Sequence, residues 1–162
     1  MNRLSATLAG VLLGAAASAQ AAMTCYVRQA GTVLFTAYDA TSTTPNDAAL
    51  DVVIGCDRNG GPGSVSIEVS LGASAVTGST ATRRMRQVGG AGDVLNYNLY
   101  RDSGRTAVWG VTSGVDTRIQ TISNVPNKGS ATTTFTIYGR IATLQDVTPG
   151  LYGDAVQITV NP

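Results

Sequence analysis

The chain has 162 residues, with 11 basic and 10 acidic side chains, a formal net charge of +1 and no histidine. So even a balance gives no electrostatic pull toward nucleic acid or an anionic membrane surface. The lack of histidine removes the commonest general base and metal ligand, so neither a cofactor nor a metal is expected.

The first residues read as a secretory signal: Arg3, an apolar run over 8–17, then the small residues Ala19 and Ala21 on either side of Gln20. Cleavage after Ala21 makes 1–21 a signal peptide and 22–162 a single mature domain. The apolar run is too short to cross a bilayer as a helix, and no later segment is long enough. No membrane span is therefore expected in the mature chain.

Beyond the signal, Thr, Ser, Gly and Val dominate, which favours strands and turns over helices. Strands are predicted over 25–29 and, after Gly31, over 32–37. A polar loop (41–47) precedes a strand over 50–56, with Val52, Ile54 and Cys56 on one face. The turn "DRNGGPG" (57–63) leads into 64–71, where Val65, Ile67, Val69 and Leu71 alternate with Ser66, Glu68 and Ser70. Residues 72–82 read as loop. "LNYNLY" (95–100) is a strand, and "TAVWG" (106–110) is its candidate partner across the turn at 102–105. "ATTTFTIYGR" (131–140) places Phe135 and Ile137 on one face. The last strand covers 152–160, with Val156, Ile158 and Val160 alternating against Gln157 and Thr159. Short strands at this spacing predict an all-β, two-sheet sandwich.

The two cysteines, Cys25 and Cys56, lie in the exported part. An even count in an oxidising compartment reads as one disulfide, the alternative being two buried thiols. Closing that loop is worth about 3.6 kcal/mol in the chain-entropy model.

Residues for catalysis are sparse, and no enzymatic activity is expected. A serine nucleophile lacks a base, because the single lysine, Lys128, sits in the turn-like "NKG". The carboxylates are scattered as turn formers and solvated groups. Asp57, Asn59 and Glu68 fall at three positions of a calcium-loop count, but Pro62 stands where that loop needs glycine. "RRMR" (83–86) is the one basic cluster. Arg83, Arg84 and Arg86 are candidates for binding an anionic surface such as an acidic polysaccharide, against the plainer reading of a solvated loop whose stems cover apolar surface. Trp109, with the tyrosines, is a candidate sugar-stacking residue, against the plainer reading of a core aromatic.

Three stretches carry a resemblance. "LFTAYDATSTTPNDAALDVVIGC" (34–56), "RRMRQVGGAGDVLNYNLYRDSGRTAVWG" (83–110) and "FTIYGRIATLQDVTPGLYGDAVQITV" (135–160) resemble, in order and to scale, the spore coat protein U domain family. That family includes subunits of archaic chaperone–usher pili and secreted coat or surface proteins. The resemblance implies an immunoglobulin-like sandwich that is incomplete, missing its last strand, which a neighbouring subunit or a periplasmic chaperone supplies by strand addition. It also implies a disulfide between Cys25 and Cys56 that ties the first strand to the second. The acceptor groove is then expected along Val27, Phe35, Val156, Ile158 and Val160. About five alternate donor side chains at roughly 1.5–3 kcal/mol each would contribute on the order of 7–15 kcal/mol, as an upper bound.

The expected partners are a periplasmic chaperone, an outer-membrane usher and other pilin subunits, with no nucleic acid. The expected location is the periplasm in transit, then the cell surface. Only Ala22, Met23 and Thr24 precede Cys25, a reach of about 10 Å, so the expectation is a subunit that accepts a strand without giving one, at a terminal or tip-like position serving adhesion and biofilm formation. The alternative is a stand-alone secreted coat or surface protein that binds carbohydrate or another surface.

Overall fold

The computed structural model describes residues 23–89 and 92–162, and the expected signal peptide lies outside them. Among the described residues there is no helix, and nine strands form two sheets. They are β1 (Thr24–Gln29), β2 (Asn46–Asp57), β3 (Val65–Leu71), β4 (Arg83–Gln87), β5 (Val94–Tyr100), β6 (Arg118–Ile122), β7 (Ser130–Ile141), β8 (Tyr152–Gly153) and β9 (Ile158–Asn161). One sheet has the order β1-β2-β7-β5-β4-β8 and the other β6-β3-β9, with every pairing antiparallel. The architecture is the all-β two-sheet sandwich expected from the strand spacing, in the immunoglobulin-like form that the resemblance implies.

The spine is β2 against β7, in register from Asn46↔Ile141 to Asp57↔Ser130. Period-two alternation sorts each strand into a buried and a solvated face. Val52, Ile54, Phe135 and Ile137 from the larger sheet meet Ile67, Val69 and Leu71 from the smaller one, all buried. Cys25 and Cys56 are directly paired across β1 and β2 and are joined as a disulfide.

Trp109 fills the middle of the sandwich at 0% exposure. Its backbone N–H donates to Leu99 on β5 (2.9 Å), while Gly110 accepts from Leu71 on β3 (3.0 Å). Residues 107–110 thus bridge the two sheets. The predicted strand over 106–110 shrinks for this reason to a single bridge, Tyr100↔Val108. The indole N–H donates to the Val69 carbonyl (2.9 Å), the ring lies 6.2 Å from that of Phe135, and Arg118 covers both rings.

The strand pattern departs from the sequence reading at four further places. Residues 83–87 form a strand instead of a solvated loop, and 118–122 form a strand with no clear signal in the sequence. Residues 32–37 belong to no strand. The chain leaves β2 after Gln29↔Val53, past an irregularity between Val27 and Gln29. The last predicted strand also breaks, into β8 and β9, because its first residues pair with β4 and its last with β3.

Candidate functional site

Two stretches without a strand face each other across the sandwich edge. On one side runs 31–35; on the other, 154–157 leads into β9. Between them opens a groove of about 320 Å³. Among the described residues no strand lies between these rims.

The second rim has one edge in use. Gln157 accepts from Gly72 (2.8 Å) and Ala155 from Ala75 (3.3 Å), extending the β3–β9 pairing. Backbone groups alternate along an extended chain, so those of Val156 and Ile158 point to the open side. The first rim turns its alternate side chains, Val33 and Phe35, inward onto β7. A Cβ built on Gly139 would lie 2.7 Å from the Phe35 ring and 2.9 Å from Val33, so glycine there is what lets this rim sit close. The Phe35 ring meets Tyr97 edge-on at 6.3 Å. Leu34, on the other side of the same rim, is 79% exposed. Farther along, Asn46 holds the carbonyls of Thr36 (2.9 Å) and Ala37 (3.4 Å).

The groove floor is apolar, with Leu50, Leu71, Met85, Leu99 and Ile137 from both sheets. Among the described residues one charged side chain lines it, Asp154. Its Oδ1 accepts from the backbone N–H groups of Ala75 (3.0 Å) and Ala155 (2.8 Å), and its Oδ2 from the Tyr97 hydroxyl (2.7 Å). Burial first, then the bond to Asp154, pushes the Tyr97 phenol well above its ordinary value, so it stays protonated and donates.

Of the residues expected along the groove, Phe35, Val156 and Ile158 line it together. Val27 and Val160 pack against the core outside the lining. Val33, Tyr97 and Asp154 were not anticipated; only the Val33/Phe35 alternation is visible in the sequence.

Two surface-binding candidates need correction. Arg83 and Trp109 are both 0% exposed. Alternation along β4 turns Arg83 and Met85 inward and leaves Arg84 and Arg86 outside. The Arg83 guanidinium donates to the carbonyls of Leu71 (3.0 Å), Gly72 (2.7 Å), Thr80 (3.1 Å) and Trp109 (2.8 Å), and to Asn98 Oδ1 (2.7 Å). Burial draws its pKa below the ordinary value, opposed by the carboxylates of Asp154 and Asp116. It acts as an internal fastener.

Among solved structures, the fold resembles the CsuC–CsuE chaperone–tip adhesion subunit pre-assembly complex of the archaic chaperone–usher Csu pili of Acinetobacter baumannii. The TM-score is 0.52 at 19% identity, over 86% of this chain and 39% of that one. A chaperone–tip adhesin complex of CFA/I fimbriae biogenesis matches at TM-score 0.46 and 12% identity, over 86% of this chain and 41% of that one. This chain therefore spans about two fifths of each. Among curated proteins, none matches by sequence. Residues 12–159 match the Spore Coat Protein U domain, nearly the whole length, and the chain belongs to that family.

Proposed function

We propose that this protein is an exported structural subunit of an archaic chaperone–usher pilus, whose groove accepts an extended strand from a neighbouring subunit or a periplasmic chaperone. The single observation that carries the reading is the apolar groove between two rims, 31–35 and 154–158, that no strand among the described residues joins. An extended segment there would find backbone groups on Val156 and Ile158 and an apolar floor for its alternate side chains, the geometry of strand addition. Each aliphatic side chain taken up contributes about 1.5–3 kcal/mol. Three or four of them match the whole stability of an ordinary domain, about 5–15 kcal/mol.

The family and the likeness to a chaperone–subunit complex support a chaperone, an usher and other subunits as partners. They also support passage through the periplasm to the cell surface, with a part in adhesion and biofilm formation. The role is structural and not catalytic. The test is to produce residues 22–162 with and without a flexible C-terminal linker carrying an alternating apolar strand. The fused form is expected to melt higher and stay soluble where the bare form aggregates. Equal melting temperature and equal solubility would refute the proposal.

A further inference from the structure

Among the described residues Asp154 is the one charged side chain lining the groove, whose floor is apolar. Its Oδ1 is saturated by two backbone N–H groups, whereas Oδ2 takes only the Tyr97 hydroxyl and keeps a second lone pair. In the open groove water can serve that lone pair. A strand lying in the groove would strip the water away, and a carboxylate oxygen left with only one of its two hydrogen bonds in a dry apolar site is costly.

We propose that Asp154 sets the register of the incoming strand by requiring a hydrogen-bond-donating side chain, such as Thr, Ser or Lys, at the inward position that passes it, between apolar neighbours. This rests on the groove reading above. The Tyr97 hydroxyl cannot supply the second bond, because its single proton is already given to Oδ2. Elsewhere along the groove the same donor side chain would face Leu50, Met85 or Ile137 and lose its own partner. The requirement is therefore local, and it separates the correct register from neighbouring ones. A two-residue slip keeps the apolar face inward, and only a feature such as this one distinguishes it.

The experiment uses an extended peptide of about ten residues with valine at every inward position and serine at every outward one. Valine is replaced by its isostere threonine at one inward position at a time, and binding to the full chain is measured by titration. One position is expected at which threonine tightens binding by about tenfold, with weaker binding at the others. That gain is expected to vanish against Asp154→Ala. If that variant does not fold, Asp154→Asn serves, read with lysine at the same position: tighter than valine on the natural protein, weaker on the variant. Threonine weakening binding at every position would overturn the register inference and leave the groove reading standing. Failure of every peptide, the valine one included, would overturn both.

Discussion

Replacing Arg83 by Met keeps much of its apolar stem and removes its donors. Two of its acceptors, the carbonyls of Leu71 and Trp109, depend on it in the buried interior, while Asn98 Oδ1 would keep the Leu99 N–H. An acceptor left unpaired there costs about 1–3 kcal/mol, and relief of the guanidinium's own desolvation offsets part of the sum. The expected loss is about 3–4 kcal/mol, from two unpaired buried carbonyls less that relief. Arg83→Lys should lose about 2–3 kcal/mol, since an ammonium is a point donor and cannot span acceptors arranged around a planar fork. Arg84→Met, one residue along the same strand but outside, should change stability by less than about 0.5 kcal/mol. The assay is urea unfolding of the oxidised protein followed by fluorescence of the single tryptophan, Trp109, which is fully buried. If Arg83→Met and Arg84→Met unfold at the same midpoint, the fastener role is wrong.

Reduction of Cys25–Cys56, or its replacement by serines, should cost about 3–4 kcal/mol, read from the same unfolding curves. Gly139→Ala should push Val33 and Phe35 off β7, lowering stability by about 1–3 kcal/mol and weakening capture of a strand peptide in a titration. Stability should be level from about pH 5.5 to 8, because the chain has no histidine. It should fall below about pH 4. Glu68 is held low by Thr117, Gly114 and Ser113, Asp47 by Arg140 and Arg105, and Asp102 by the amides of Ala107 and Thr106. A carboxylate depressed in the folded state stabilises above its unfolded pKa and ceases to as pH drops through its folded one. Melting temperatures across that range check both halves.

The strands with clean alternation were legible in the sequence. Over 64–71, Val65, Ile67, Val69 and Leu71 lie on one side, and the structure buries the last three against the larger sheet. Strand β4 was not legible as such, because "RRMR" alternates in burial but not in polarity. Burying Arg83 depends on carbonyls delivered by Leu71, Gly72 and Trp109, which are remote along the chain. Its charge therefore read as solvated. Strand β6 exposes Ile119 and buries Ile122, which gives no apolar face to read. Residues 32–37 show the reverse: a strand-like pattern with no strand partner, because alternation reports which side chains point inward and says nothing of what the backbone bonds to. Of the groove's lining, the alternation of Val156 and Ile158 was legible. The carboxylate in its wall was not, since Asp154 reads locally as a turn residue and acquires its place only when Tyr97 and Ala75 converge on it.

The central claim is that a strand enters between 31–35 and 154–158. Amide hydrogen exchange, resolved by residue with and without a bound strand peptide, tests it most directly. The account predicts new protection on both rims, including the amides of Val156 and Ile158, with the β2–β7 spine unchanged. Binding that protects some other edge, or leaves both rims exchanging as before, would contradict it.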